Sequence, residues 1–378
     1  MNKDFISVQP ISSFNAWEAM RKRRRLFSFT LELSARCNLN CRHCYLNVPE
    51  NDLAAQDAEL SFQEITALVD ESSSLGALWA LVTGGEPLLR HDFFDIYMYL
   101  KRKGMVISVF TNATLFTKEH VHLFTRYPPR DLDITVYGAT KDTYERITRK
   151  SGSFEAFKEG IALLLENNIK FNLKAMALRS NIQELPQITA LCREYSKAPF
   201  RFDPFLHLRF DRDHLRNQEI RNERLTPQEI GTLETLDSTR HTALKKECRR
   251  LQAQYPQERD CDHLFRCGTG RGSLAIGYDG WCRMCLSLCH PECIFDLRNH
   301  SLTDVWEGCI PQALTKRVQN QALLAQCRNC TFRYLCSWCP AQSYLEAGEL
   351  DSLIPYLCDA AGKRSQSIMK DIPLPVSL

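Results

Sequence analysis

The sequence predicts an α/β fold, a parallel sheet with helical crossovers, followed by a small cysteine-rich region. Two observations carry this. Between residue 29 and about residue 210, six short apolar runs alternate with amphipathic stretches. From Cys261 onward that alternation fades, and twelve of the chain's seventeen cysteines lie there. Six β–α units in succession mean parallel strands joined by right-handed crossovers. Periodicity alone does not separate an open doubly wound sheet from a partial or full β/α barrel.

The runs are "FTLELS" (29–34), "LWALVTGG" (78–85), "VISVFTN" (106–112), "LDITVYG" (132–138), "FNLKAMAL" (171–178) and "FRFDPFLHL" (200–208). The intervening stretches begin with readable caps. Ser61 with Glu64 and Asn181 with Glu184 read as capping boxes, and Ile65, Leu68 and Val69 recur at helical spacing. Thr226, Pro227 and Glu229 start a further helix within the charged segment after residue 210. The tail is too poor in apolar periodicity to hold its shape by packing alone, which points to bound metal.

Composition narrows the functional classes. The chain has 378 residues, 44% hydrophobic and 25% charged, the balance of an ordinary globular protein of one or two domains. No run approaches the length of a membrane span, and no apolar segment follows the N-terminus as in a secretion signal. These features place the chain in the cytoplasm, where lasting disulfides are rare, so the cysteines read as metal ligands. A net charge of +3 gives no ground for a nucleic-acid partner. "RKRRR" (21–25) reads as a solvated segment or as a docking patch for an acidic peptide.

"SARCNLNCRHCYLN" (34–47) carries the chemistry. Cys37, Cys41 and Cys44 follow directly on the first strand, at the strand end where β/α folds bind ligands. A structural zinc wants four closed ligands, usually as paired C-x-x-C units. A cubane cluster also takes four thiolates, so three leave one iron open. "TGGEP" (83–87) then ends the second strand. Cys-x3-Cys-x2-Cys followed by this Gly-Gly-Glu-Pro resembles the radical S-adenosylmethionine (SAM) enzymes. The resemblance implies a partial (β/α)6 TIM-like barrel and a [4Fe–4S] cluster on the three cysteines. It implies that the open iron chelates SAM, which is cleaved to a 5′-deoxyadenosyl radical. It also implies SAM contacts from Gly84, Gly85 and Glu86, from His43 near the adenine, and from Thr111, Asn112, Thr135 and Lys174. A flavodoxin or ferredoxin would supply the electron.

The tail resembles a SPASM domain. Cys267, Gly280 and Cys285 fit C-x(9–15)-G-x4-C, and "CRNCTFRYLCSWCP" (327–340) gives C-x2-C-x5-C and a further cysteine. The last spacing, Cys336 to Cys339, is x2 where x3 is commoner. The resemblance implies two auxiliary [4Fe–4S] clusters, three in all. The first falls to Cys261, Cys267, Cys285 and Cys339, the second to Cys327, Cys330, Cys336 and Cys358. Cys282, Cys289 and Cys293 are candidate substitutes, while Cys192, Cys248 and Cys309 read as plain thiols. Zinc is the alternative for this region. The divisions expected are an extension (1–28), the barrel (29–215), a helical linker (216–260) and the SPASM region (261–378).

A SPASM-like tail implies a precursor peptide as substrate, entering by the partial barrel's lateral gap, and a thioether or other side-chain crosslink as product. Leu286 stands where sulfatase maturases carry an aspartate, which counts against formylglycine formation. Haem- or quinone-type cofactor synthesis and a non-catalytic metal-binding module are the other readings. Only 28 residues precede the first strand, fewer than a leader-binding domain needs.

Overall fold

The six apolar runs become six parallel strands in the computed structural model, which describes residues 24–196, 200–236, 238–254, 262–328 and 330–368. They are β1 (Ser28–Glu32), β2 (Trp79–Thr83), β3 (Val106–Thr111), β4 (Asp131–Thr135), β5 (Asn172–Met176) and β6 (Arg201–Asp203). Period-two burial makes them strands: Ile107, Val109 and Thr111 are buried while Val106, Ser108 and Phe110 are half-buried. Most of the strands stop before their apolar runs do. Residues 33–34, 84–85 and 136–138 form strand-end loops instead, and "FRFDPFLHL" supplies only three strand residues before Pro204, which has no N–H to continue the ladder.

Three strands from the tail join the same sheet: β7 (Ser273–Ile276), β8 (Trp281–Arg283) and β9 (Ile294–Asp296). The sheet order is β9-β8-β7-β1-β2-β3-β4-β5-β6. β7 runs parallel to β1, with Phe29 opposite Leu274, and β8 and β9 fold back antiparallel. The cysteine-rich region therefore extends the sheet beside the strand that leads into the triplet.

Helices cover the sheet: α1 (Phe62–Ser74), α2 (Phe93–Arg102), α3 (Lys118–Arg126), α4 (Lys141–Thr148), α5 (Ser153–Glu166) and α6 (Leu185–Tyr195). Ser61 and Glu64 form the expected box at the start of α1, and Ile65, Leu68 and Val69 are buried. Asn181 does not cap in this way. Its Oδ1 accepts from Leu178 N, its Nδ2 donates to the Tyr137 and Met176 carbonyls, and Glu184 accepts from Ala139, Thr140 and Thr143. Two long-range polar networks outcompete the local box.

Beyond β6 come α7 (His214–Glu223), α8 (Pro227–Leu236) and α9 (Ser238–Gln254), with α10 (Pro340–Ala347) and α11 (Pro355–Ile368) in the tail. Thr226 and Glu229 make the expected reciprocal bonds before α8. Arg240 of α9 donates to the Phe202 carbonyl at 2.9 Å, so the linker lies over the edge strand where a lateral gap was expected. Of "RKRRR", residues 21–23 lie outside the described residues. Arg24 donates to the Trp306 carbonyl at 2.8 Å and stacks on that indole, tying the chain start to the tail. No described helix is long and apolar enough to cross a membrane.

Candidate functional site

Cys37, Cys41 and Cys44 lie on a loop fixed from beneath and from above. Beneath, Arg36 makes two bonds to Glu59, 2.8 and 3.1 Å, and Ser34 Oγ donates to the same carboxylate. Arg90 donates to the Leu33 and Leu60 carbonyls. Above, α7 sends Arg216 to the Cys41 carbonyl at 3.1 Å, and Arg209 donates to the Asn47 carbonyl at 3.1 Å.

Donors point at the sulfurs. Leu39 N donates to Cys37 Sγ at 3.4 Å, Asn47 N to Cys44 Sγ at 3.3 Å, and Asn112 Nδ2 approaches Cys37 Sγ at 3.8 Å. The Tyr137 hydroxyl hydrogen-bonds Cys41, whose thiol burial pushes up to about 12. Burial also raises Cys37, and the neighbouring Glu86 adds to it. Buried thiols this reluctant to ionise suit a bound cation or cluster, which takes the place of the proton.

Gly84 and Gly85 end β2 against this loop. A Cβ on Gly84 would stand 2.3 Å from the Ser34 carbonyl oxygen, and one on Gly85 would stand 2.3 Å from that of Arg36. Gly84 also has φ +136. The paired glycines thus serve close approach of backbone to backbone. Glu86 is fully buried, accepting from Leu88 N, Thr111 Oγ1 at 2.8 Å and Asn112 N at 2.7 Å. Burial pushes its carboxyl up to about 7. Glu86 and Thr111 thus join the ends of β2 and β3, while Asn112 reaches on to Asn38 at 3.0 Å.

The remaining expected SAM contacts are more spread. His43 packs 5.7 Å from the Tyr137 ring centroid, its Nδ1 buried without a partner. Burial, helped by Arg216, pushes it down to about 4, so it is neutral at pH 7. An orphaned buried nitrogen beside the triplet fits a ligand edge at that point. Thr135 ends β4 opposite Lys174 on β5. Lys174 Nζ lies 3.0 Å from the Phe110 ring centroid and 3.7 Å from Asp133, and burial pushes it down to about 8.

The tail cysteines form two electrostatically coupled groups. Burial raises the Cys285 and Cys339 thiols, with Cys267 adding to both and Cys285 to the second, and burial raises Cys327 and Cys336, with Cys358 and Cys330 adding to each. Cys261 of the first expected ligand set lies outside the described residues. Burial raises the Cys289, Cys293 and Cys282 thiols, with Cys285 adding to the first two and Cys309 to the third. Gln342 N donates to Cys339 Sγ and Trp338 N to Cys336 Sγ, each at 3.4 Å. Among the described residues no three His, Cys, Asp or Glu side chains meet the geometry of a single-ion site. By donor chemistry, three thiols with amide N–H groups at two of the sulfurs fit an iron–sulfur cluster. Sequence reasoning missed Tyr137, Glu59, Arg209 and Arg216. None stands in a short motif, so only their three-dimensional contacts reveal them.

Comparison with known proteins agrees with this geometry. The model of the radical SAM superfamily matches residues 31–192. The AdoMet-dependent heme synthase of Methanosarcina barkeri (strain Fusaro / DSM 804) is 24% identical over 364 residues, 92% of this chain and 99% of the relative. Among solved structures, native anSMEcpe with bound AdoMet superposes with a TM-score of 0.65 at 14% identity, covering 91% of this chain and 97% of that one. Streptococcus suis SuiB bound to S-adenosylmethionine gives a TM-score of 0.62 at 13% identity, covering 94% and 83%.

Proposed function

We propose that the chain, whose residues 31–192 match the radical SAM superfamily, is a radical SAM enzyme with a SPASM-type cysteine-rich tail and modifies a ribosomally made peptide, forming a thioether or another side-chain crosslink. A [4Fe–4S] cluster on Cys37, Cys41 and Cys44 would supply, with SAM, the radical that abstracts hydrogen. The protein's own part is positional. Asn112 and the Leu39 and Asn47 amides steady the sulfurs, and His43, neutral at pH 7, faces the ligand side. Auxiliary clusters would be held by Cys267, Cys285 and Cys339 with Cys261, and by Cys327, Cys330, Cys336 and Cys358.

The observation that carries this reading is the placement of the tail. Because β7 pairs with β1 and β8 runs back beside it, the Cys285 group is fixed on the same sheet as the triplet, level with the start of β1 while the triplet follows its end, so that a substrate can lie between them. A second set of thiolates there suits removal of an electron from a substrate radical or capture of a substrate thiolate. Leu286 in place of an aspartate keeps formylglycine formation in the background. SuiB has also been solved with its precursor peptide SuiA.

One observation favours a second reading, cofactor synthesis of the haem type. The similarity to the Methanosarcina heme synthase runs through the tail as well as the barrel. The experiment separates the two. The anaerobically reconstituted enzyme, with SAM and reduced flavodoxin, is given the short peptide encoded beside its gene or an iron porphyrin carboxylate. Loss of two hydrogens from the peptide, with one cysteine protected from alkylation, is expected. Turnover of the porphyrin with every peptide unchanged overturns the peptide reading. Iron should approach about twelve per chain, and changing Cys37, Cys41 and Cys44 to Ala should remove about four and abolish 5′-deoxyadenosine formation. Unchanged 5′-deoxyadenosine would sink the assignment of the radical site.

A further inference from the structure

Between the triplet and the Cys285 group lies a surface to which the proposed chemistry gives no task. After β6 the stretch from Arg209 to Arg212 reaches both the loop of the triplet and the tail. Arg209 holds the Asn47 carbonyl, and Phe210 N donates to the Tyr45 carbonyl at 3.3 Å. The Phe210 ring sits 4.8 Å from that of Tyr45 and 5.1 Å from the guanidinium of Arg283. Arg212 stands 5.2 Å from the Tyr344 ring centroid, and that ring packs 4.7 Å from His290, the residue after Cys289.

Cys289 is half-buried and packs with Tyr137, Met176 and Phe210 on the apolar cluster of Leu178, Leu206, Leu208 and Leu345. Tyr137 also packs on the triplet. An apolar floor therefore runs from the radical site to Cys289. Arg212 stands at its edge.

The guanidinium is held out for use. Arg212 has φ 58, in the left-handed region that a non-glycine residue enters at a cost. A Cβ on Gly348 would lie 3.3 Å from Arg212 NH2, so the glycine leaves the guanidinium its place. The nearby acids have other partners. Asp211 pairs with Arg209, Asp213 accepts from Arg216 N, and Glu346 is held by Arg224 and Arg221. Among the described residues no carboxylate pairs with Arg212.

We propose that Arg212, backed by Tyr344 and bordering Cys289, is the subsite that takes a carboxylate of the substrate and lays the attached apolar group along Tyr137, Met176 and Phe210. Resting on the peptide reading, this names the recognised segment: an acidic residue beside an apolar one. A guanidinium at the edge of an apolar surface favours that combination by charge and by area removed from water.

Alkylation at Cys289 tests it with defined probes. The anaerobic holoenzyme is treated with iodoacetate or iodoacetamide, which differ in a carboxylate, and both adducts at Cys289 are quantified by peptide mass spectrometry. The ratio of carboxymethyl to carbamidomethyl adduct should fall about fivefold in Arg212→Gln, as for loss of one partly exposed charge interaction. Arg212→Lys should restore most of it. An unchanged ratio in Arg212→Gln overturns the proposal. So does a Cys289 that neither reagent labels, since its thiol would then be ligated or closed off. Protection of Cys289 by a Phe-Glu-Phe amide, and not by its Phe-Gln-Phe counterpart, supports the peptide form. Protection by a porphyrin carboxylate alone keeps the subsite and overturns the peptide reading. No protection by any of the three overturns its role with substrate.

Discussion

Glu86 illustrates how a motif residue can be read correctly in place and incompletely in purpose. "TGGEP" was legible because its residues are adjacent, but what its glutamate does depends on Thr111 and Asn112, twenty-five and twenty-six positions away. The carboxyl links two strand ends behind the cysteine loop, and burial pushes it up to about 7 from 4.5. The folded chain thus holds a proton that the unfolded chain releases across that interval. The group's contribution is full below about pH 4.5 and is lost as pH rises through about 7, on the order of 3 kcal/mol in all. In the metal-free protein Glu86→Gln should remove this slope from urea unfolding between pH 5 and 7. At pH 5 it should cost about 1–3 kcal/mol, because one of three donors then meets an amide N–H. Equal slopes in both proteins would show that Glu86 is ionised throughout.

At the scale of elements, local signals were legible and remote anchors were not. The boxes at Ser61 and Thr226 lie within one turn of their partners, and both form. The box expected at Asn181 fails because Glu184 is taken by Thr140 and Thr143, contacts no local pattern encodes. The cysteine loop depends on such an anchor. Glu59, 7% exposed, holds Arg36 from the loop and lies 3.8 Å from Arg90 beyond β2. Removing it leaves the nearly buried Arg36 guanidinium without its counter-charge, while Arg90 keeps Asp92 at 2.7 Å. Glu59→Ala should therefore cost about 3–5 kcal/mol in urea unfolding and lower iron retention after desalting. Ser61→Ala, which removes only a cap, should cost about 1 kcal/mol and leave iron content alone. Similar costs for the two would mean that Glu59 is a surface group without a structural part.

For the whole molecule, the sequence predicted a parallel α/β unit and a cysteine-rich tail, and both are present. That they share one sheet was not legible, because β1 and β7 pair across more than two hundred residues and the register of a buried strand leaves no mark in its partner's sequence. The junction is sealed by an ion pair that sequence also hides. Arg283 of β8 donates to Glu32 of β1 at 2.9 Å, with side chains 6% and 0% exposed. The pair is incompletely satisfied, since Glu32 Oε1 is buried without a partner and burial raises its pKa. Its attraction therefore has to offset the desolvation of two charges with one oxygen unpaired, which is the circumstance in which apolar replacement serves as well. Arg283→Met alone should cost about 3–5 kcal/mol by stranding Glu32, and Glu32→Leu a similar amount by stranding Arg283. The double variant should return to within about 1 kcal/mol of the parent, or exceed it, with iron bound by the tail unchanged. Costs that simply add would show that the two side chains act independently, leaving the sheet ladder between β1 and β7 to join tail to barrel.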